Sequence, residues 1–395
     1  MKKGPFTLKI KIDISRIIYI IYMIFVLNIF YSLFRTSMYV DMAYLFGVFA
    51  FGIIFTDVLR KKKIDRLLYF GLRSFVIPFA AVVILSCITA IMVWNTSYRA
   101  DVTQSILRIL QIAAAFFIAY ISIIWYSKDS VKLLLTAGVI SYLTVIVRYI
   151  AGVNGVSLES HGFIESCGLL FIYYLLSNQY DRKQKTIYLS IIGIVLFLGD
   201  KRICWVALVV TLILYFVLHK FQSRQMHILK IILIIYALMT FVYLWLIKSG
   251  TLETIFLHYG IVDNSRIKFW NYFSGTYELS PFYFGRGLQY TDNRMALSST
   301  MGTLWISSKV GIHNDILRTY IGWGCIPFVL YYSNFFAINL NNIKKMGKQG
   351  NGWKYFALAS YCFFNYMVDY MITDISFNIC FFMVCLLLIN EDSDL

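Results

Sequence analysis

The sequence is short of charged residues, which make up 14% of it, and it has only 20 Asp and Glu among its 395 residues. A soluble domain averages about 25% charged residues, so an ordinary soluble globular enzyme is excluded. Only 4 prolines and 23 glycines are present, which argues against a loop-rich or fibrous chain. Hydrophobic residues make up 59% and lie in long runs, which excludes a disordered chain and predicts a polytopic membrane protein.

The seven cysteines all lie in apolar runs, and no two of them form a Cys-x-x-Cys pair. This pattern is typical of buried thiols and not of disulfides or a metal site. The one long polar segment also lacks an Asp-x-Asp or similar carboxylate cluster for a divalent ion. The sequence therefore predicts chemistry without a metal or another cofactor.

A membrane-spanning helix needs about 20 apolar residues. By this measure the chain contains about twelve predicted spans: 17–34, 39–59, 75–94, 105–126, 131–150, 163–177, 187–198, 203–218, 228–247, 316–338, 353–371 and 375–389. The seventh and eighth runs flank the charged sequence Gly-Asp-Lys-Arg at 199–202. One long broken segment is the alternative there, but the apolar lengths favour two helices.

Basic residues outnumber acidic ones, which gives a net charge of +16. If the N-terminus is cytoplasmic, 23 of the 36 Lys and Arg residues lie in loops on the cytoplasmic side. Cytoplasmic loops of membrane proteins collect Lys and Arg, so the charge predicts an even number of spans with both termini inside and no nucleic-acid partner. Residues 1–395 form one integral membrane domain, with a large outer loop at 248–312 between spans nine and ten.

The other thirteen basic residues lie on the predicted outer side, where orientation does not require them. Each could reach the membrane interface or pair with an outer acid. Together they predict an anion-binding site on the outer face.

Three outer segments carry this prediction. Arg202 opens a helix directly after the break at 199–202, and a helix N-terminus favours anions, although a simple Asp200–Arg202 salt bridge is the alternative. Arg266 follows Asn264 and Ser265, which are typical helix N-cap residues. A cation in the first helical turn is unfavourable for the helix dipole, so Arg266 is predicted to have another use.

The third segment is His313-Asn314, where the long loop re-enters the membrane. A lone histidine is more often structural than catalytic, but this one has polar neighbours at the outer end of a span. Before it, Gly285-Arg286-Gly287 predicts a turn with close backbone approach.

Taken together, these features resemble the O-antigen polymerase and O-antigen ligase superfamily over about residues 195–330. The resemblance consists of an Arg-led helix, one large outer loop before the last three spans, and a His-Asn-x-x-Leu loop end before a Gly-x-Gly helix. The matching pieces are Lys201-Arg202, Asn264-Ser265-Arg266 with Trp270, Gly285-Arg286-Gly287, His313-Asn314-Asp315-Ile316-Leu317 and Gly322-Trp323-Gly324. The chain departs from the family in having Lys201 where a Ser is usual, and Tyr277 where the Arg-x10-Gly signature of some polymerases has Gly.

The resemblance implies an all-helical glycosyltransferase of the GT-C type in the bacterial inner membrane, with its active site facing the periplasm. The implied donor is an oligosaccharide on undecaprenyl diphosphate. A polymerase of O-antigen or capsule transfers the growing chain to a new lipid-linked repeat unit, whereas a ligase transfers the glycan to lipid A-core in lipopolysaccharide. We favour the polymerase. The implied partners are membrane lipid, a chain-length regulator and a flippase.

Arginines suit the binding of a leaving diphosphate because they form bidentate bonds and stabilise developing charge. We predict Arg202 and Arg266 for this role. Their predicted supporting arginines are Arg286, Arg294 and Arg318.

The acceptor hydroxyl needs a base, and His313 is the predicted one because its reference pKa is about 6.5. Asp200, Glu165 and Asp315 are rival bases, and Asn264 and Asn314 are predicted supporting residues. The expected reaction is a metal-independent, inverting transfer.

A different class of function is a flippase or other transporter of lipid-linked oligosaccharides. About twelve spans and a cationic outer site suit that class too. Transporters, however, often contain repeated halves with broken helices that meet at mid-membrane. The sequence contains no such symmetry, and its single long loop is lopsided. A cell-wall polymerase is a third alternative, but the long loop lacks the Asp-led signature expected for that group.

Overall fold

The structure is a computed structural model, and it describes residues 14–26, 36–94, 99–153, 156–159, 162–221, 224–260, 266–300, 312–346 and 351–391. Within these ranges the regular structure is helical and no strand is present. The described α-helices are α1 (Ile14–Val26), α2 (Thr36–Lys61), α3 (Arg66–Gly71), α4 (Ile77–Trp94), α5 (Arg99–Tyr126), α6 (Asp129–Ile150), α7 (Phe163–Leu176), α8 (Arg182–Gly199), α9 (Arg202–Lys220), α10 (Gln225–Lys248), α11 (Thr251–His258), α12 (Arg266–Tyr272), α13 (Tyr290–Thr300), α14 (Asp315–Trp323), α15 (Cys325–Ser333), α16 (Asn339–Lys345), α17 (Gly352–Val368) and α18 (Ile375–Asn390).

Six helical segments of the described chain are long and apolar enough to cross a membrane. They are Ala43–Lys61, Arg66–Val93, Val102–Tyr126, Asp129–Ile150, Arg202–Lys220 and Gln225–Lys248. The prediction of an all-helical membrane protein is therefore confirmed. Each of the twelve predicted apolar runs falls on at least one helix, and the seventh and eighth runs are two helices, α8 and α9, as expected.

Two predicted runs differ from the structure in an informative way. The run 316–338 is broken, because α14 ends at Trp323 and Gly324 has a positive φ of 82°. After the break, α15 continues through a π-helical turn at Asn334–Ile338 into α16. The run 353–371 ends as a helix at Val368, directly before Asp369.

The core lies around α7, α17 and α18, which are buried over most of their length. α18 packs against α5 and α7, and α17 packs against α9. Outer helices instead expose large apolar side chains, among them Phe49 on α2, Phe216 on α9 and Leu238 on α10. Exposed apolar surface on long helices is the arrangement that lipid requires.

The long loop contains short helices and is anchored to the helix bundle. α11, α12 and α13 lie within it, although residues 261–265 and 301–311 are outside the described residues. Lys248 at the end of α10 donates to the backbone oxygen of Ser274 at 3.0 Å, and Trp270 Nε1 donates to that of Ile312 at 2.8 Å. These bonds hold the loop against the ends of α10 and α14.

The predicted close approach of the Gly-Arg-Gly turn is confirmed, and its partner is the break between α14 and α15. The backbone N–H groups of Arg286 and Gly287 donate to the oxygens of Ile321 and Gly322 at 2.9 and 2.8 Å. Gly285 has a φ of 74°, and a Cβ placed there would lie 2.4 Å from the nitrogen of Gly324. Only glycine allows this contact without strain.

Candidate active site

Asp369, in the short segment between α17 and α18, is at the centre of a buried polar cluster. Its Oδ2 lies 2.8 Å from Lys201 Nζ, and its Oδ1 lies 3.2 Å from His313 Nδ1. Lys201 also donates a hydrogen bond to Glu165. We call Glu165, Lys201, His313 and Asp369 the Asp369 cluster. Its members come from four distant parts of the sequence.

The ends of two helices position the charged pair of this cluster. Glu165 is in the first turn of α7, where its Oε2 accepts a hydrogen bond from the N–H of Gly162 at 2.8 Å. Lys201 is the residue directly before α9. Burial alone would lower the pKa of Lys201, but the charges of Glu165 and Asp369 outweigh burial and raise it above its ordinary value. Lys201 is therefore a charged amine between two carboxylates.

The His313 side chain is partly accessible, since it is 26% exposed, whereas Asp369 is fully buried. An ionised carboxylate only accepts hydrogen bonds, so Asp369 fixes the proton on Nδ1 and leaves Nε2 as the basic atom of the ring. His313 has a φ of 44°, a conformation that is uncommon outside glycine and often marks functional sites.

Asn314 fixes the backbone next to His313. Its Oδ1 accepts from the N–H of Leu317 at 2.9 Å and caps α14, while its Nδ2 donates to the hydroxyl of Tyr243 at 2.8 Å. That hydroxyl in turn donates to the backbone oxygen of Met367 at 2.7 Å. Asn314, which the sequence predicted as a supporting residue, therefore links α10, α14 and the end of α17.

Arg266 lies beside the Asp369 cluster. It is the first residue of α12, and its Nη1 donates to the backbone oxygen of Val368 at 3.1 Å. Arg202 is the first residue of α9, next to Lys201, and its side chain is exposed. The sequence predicted Arg202 as the site residue of this segment. In the structure the Lys201 side chain points into the protein, whereas the Arg202 side chain points outward. The three predicted segments nevertheless meet at Val368 and Asp369.

A second group of buried charges lies next to the first and is built on Arg318. The fully buried guanidinium is 3.1 Å from Asp292 Oδ2 and 3.4 Å from Asp315 Oδ1, and it lies 4.0 Å from the centre of the Tyr370 ring. We call these four residues the Arg318 cluster. The N–H of Asp315 donates to the backbone oxygen of Asp369 at 3.2 Å and joins the two clusters.

The Arg318 cluster holds the segment after α17 in place. Asp315 Oδ2 accepts from the N–H groups of Met371 and Ile372 at 2.5 and 2.6 Å. Burial raises the pKa of Asp315 to about 6, while the Arg318 charge and these two N–H groups act in the opposite direction. Because Arg318 is fully enclosed and paired with protein carboxylates, it is badly placed for a diphosphate.

The remaining predicted residues lie elsewhere. Arg286 and Arg294 pack on the ring of Tyr290, 5.3 and 5.7 Å from its centre. Arg286 contacts the C-terminal end of α14, opposite to the end that carries His313. Asp200 is exposed at the end of α8 with a φ of 43°, and Asn264 lies outside the described residues.

Asp369 is the main residue that the sequence analysis missed. An acid inside the predicted apolar run 353–371 was the available signal, because ionisable residues in such runs are usually functional. Asp292 and Tyr370 of the Arg318 cluster were missed as well, and nothing in their local sequence points to them.

Within the described residues, no three or more His, Cys, Asp and Glu side chains are grouped to hold a metal ion. The seven cysteines remain thiols, five of them buried and Cys87 and Cys325 partly buried.

Comparison of the chain with protein-family models and with curated proteins gives no match.

Proposed function

We propose that this protein is a membrane glycosyltransferase that polymerises a bacterial surface polysaccharide from repeat units carried on undecaprenyl diphosphate. The proposal rests on one observation above others: Lys201, Arg266 and His313, from three segments that resemble O-antigen polymerases, all contact the Val368–Asp369 backbone or side chain. The resemblance supplies the substrate class. The contacts supply a base and a neighbouring cation, the two groups that the reaction needs.

The proposed reaction is a direct displacement. His313 Nε2 takes the proton of the acceptor hydroxyl while that oxygen attacks the anomeric carbon of the donor sugar. The bond from this carbon to the diphosphate oxygen breaks, and its electron pair stays with the diphosphate. Arg266 and the exposed Arg202 bind the leaving group and stabilise its charge. Attack from the face opposite the leaving group inverts the anomeric centre.

Asp369 and Lys201 act behind the histidine as positioning residues. Asp369 orients the imidazole through its contact with Nδ1. Lys201 pairs with Asp369 in buried surroundings, where an unpaired carboxylate would be costly. Glu165 is the second carboxylate that accepts a hydrogen bond from Lys201.

The proposed topology has about twelve spans, both termini in the cytoplasm and the Asp369 cluster at the periplasmic side of the bacterial inner membrane. Contacts between helix ends support it. Lys128 donates to the backbone of Gln179, and Arg66 donates to that of Met346. Lys354 pairs with Glu391, next to Ser177 at the end of α7 opposite to Glu165. The basic loops predicted to be cytoplasmic therefore lie away from the Asp369 cluster.

The test replaces site residues in a strain that lacks the chromosomal copy. Arg202→Ala, Arg266→Ala, His313→Ala and Asp369→Asn are each expected to abolish polymer while the protein still inserts into the membrane. Glu159→Gln is the matched control, because Glu159 is an exposed acid on the same predicted side. Polymer length is read from lipopolysaccharide or capsule gels, and protein amount from membrane immunoblots.

The outcomes separate the alternatives. Single repeat units on lipid A in the deletion strain identify a polymerase, whereas lipid-linked polymer with a bare core identifies a ligase. Full activity in all four variants would remove the proposed site. Tolerance of His313→Ala alone would remove the base assignment and leave the diphosphate site. Loss of lipid-linked units from the periplasmic leaflet would indicate a flippase.

A further inference from the structure

A cavity of about 230 Å³ lies between the long loop and the end of α4. Its lining includes Glu278, Phe282, Phe284 and Arg286, together with Val93 of α4. We call it the Phe282 cavity. Arg286 is the one lining residue that the sequence analysis singled out, as a support for diphosphate binding, and the proposed displacement at the Asp369 cluster does not use the cavity.

The walls of the cavity are fixed before any ligand arrives. The hydroxyl of Tyr283 donates to the backbone oxygen of Ile321 at 2.9 Å, and that of Tyr320 donates to the backbone oxygen of Glu278 at 2.8 Å. The hydroxyl of Thr89 in α4 donates to the backbone oxygen of Phe284 at 3.0 Å. Arg286 Nε donates to the backbone oxygen of Thr276 at 2.6 Å. A preformed cavity avoids the cost of ordering a loop on binding.

The lining combines exposed aromatic rings with one acid and one base. Phe282 is 79% exposed and Phe284 is 50% exposed, so both rings present accessible apolar surface at the cavity. Aromatic faces stack on the C–H face of a pyranose, and a carboxylate and a guanidinium together accept from and donate to its hydroxyls. The Glu278 carboxylate also disfavours an anionic lipid headgroup, which Arg286 alone would attract.

The cavity and the Asp369 cluster lie at opposite ends of α14. Gly287 bonds to Gly322 near the end of this helix, while His313 and Asn314 precede its start. Nine helical residues span about 13 Å, so a ligand that reaches both places must be longer than a single sugar.

We propose that the Phe282 cavity binds a sugar of the lipid-linked glycan several residues away from the bond that reacts. The inference rests on the proposed function for the identity of the glycan. Binding at this distance would let the enzyme recognise a whole repeat unit. It requires no further chemistry from the cavity.

The test measures binding of the repeat-unit oligosaccharide, released by mild acid from the lipid-linked material of the host strain, to the purified full chain by saturation-transfer NMR. The double variant Phe282→Leu/Phe284→Leu keeps apolar bulk for any membrane contact but removes the aromatic faces. We expect it to bind at least tenfold more weakly than the unaltered protein, and Glu278→Gln to bind severalfold more weakly. Phe216→Leu, at an exposed phenylalanine within a candidate span, is the control and should bind normally.

Equal affinity in the leucine double variant, or no saturable binding by the unaltered protein, would overturn the inference. The two rings would be membrane anchors if the leucine variant binds normally and replacement of both phenylalanines by serine lowers the membrane yield. That result would also overturn the inference. The proposed function fails separately: if His313→Ala and Asp369→Asn keep full polymer while the leucine variant loses oligosaccharide binding, the cavity stands without the transferase.

Discussion

Lys201 is buried between two carboxylates, so its removal has a defined electrostatic consequence. Lys201→Met would leave Glu165 and Asp369 without their cation, and breaking a buried ion pair in this way costs about 3–5 kcal/mol. Adding Glu165→Gln should recover part of that loss, because one unpaired charge is then removed. We expect a lower melting temperature for Lys201→Met and a partial return for the double variant, measured in detergent by tryptophan fluorescence.

Lys268→Met is the control for this pair, because Lys268 is an exposed lysine of the long loop. Its melting temperature should stay close to that of the unaltered protein. A Lys201→Met protein as stable as this control would show that Lys201 does not neutralise the two carboxylates.

At the scale of single residues, local sequence predicted His313, Asn314 and Arg266 beside the site, because each stands at a helix start or loop end. It could not choose between Lys201 and Arg202, since a difference of one residue at a helix start decides which side chain enters the protein. Asp369 is 56 residues from His313 and 168 from Lys201 in the chain, and no local pattern specifies such pairing.

The junction between the Gly-Arg-Gly turn and the α14–α15 break provides a prediction at the scale of elements. Gly285→Ala would place a Cβ against the backbone of Trp323 and Gly324 at a φ of 74°. A left-handed conformation alone costs a residue with a Cβ about 1–2 kcal/mol, and the steric overlap adds to it. We expect a lower melting temperature and weaker protection of the 283–288 backbone in hydrogen exchange.

Gly193→Ala is the matched control for this prediction, because a Cβ at Gly193 on α8 has no neighbour within 4 Å. Amide hydrogen exchange around position 193 in this variant should slow or stay unchanged, since alanine favours a helix more than glycine does. Normal protection at 283–288 in Gly285→Ala would mean that the turn does not depend on this contact.

Apolar runs predicted where helices lie but not where they break. In the run 316–338, Gly324 stands among apolar residues, and the Gly-Arg-Gly turn that stabilises the break comes from 37 to 39 residues earlier. The π-helical turn at Asn334–Ile338 has a similar origin. Asn334 Nδ2 donates at 2.8 Å to the backbone oxygen of Ser74, which lies in a second π-helical turn at Leu72–Val76. Hydropathy contains no information about such cross-chain bonds.

For the whole molecule, the charge distribution along the sequence and the contacts between helix ends both separate the helix bundle into a basic end and an end that carries the Asp369 cluster. The basic loops predicted to be cytoplasmic gather at one end, and the Asp369 cluster lies at the other. In the proposed topology most Lys and Arg residues suit membrane orientation, which accounts for most of the net charge. Arg202 and Arg266 are among the few cations left near the cluster, and the proposed reaction uses both of them.

This division predicts which surface positions a membrane-impermeant maleimide can reach in intact cells. Single cysteines at Glu159 and Lys268 should be labelled from outside, and single cysteines at Lys62 and Lys183 should be labelled only after the inner membrane is permeabilised. All four native side chains are exposed, so accessibility reports the side of the membrane and not burial. The partly buried Cys87 and Cys325 are replaced by serine in the background to remove native labelling. Labelling of both 62 and 183 but neither 159 nor 268 in intact cells would reverse the proposed orientation, and labelling of only one position from either pair would contradict the proposed number of spans.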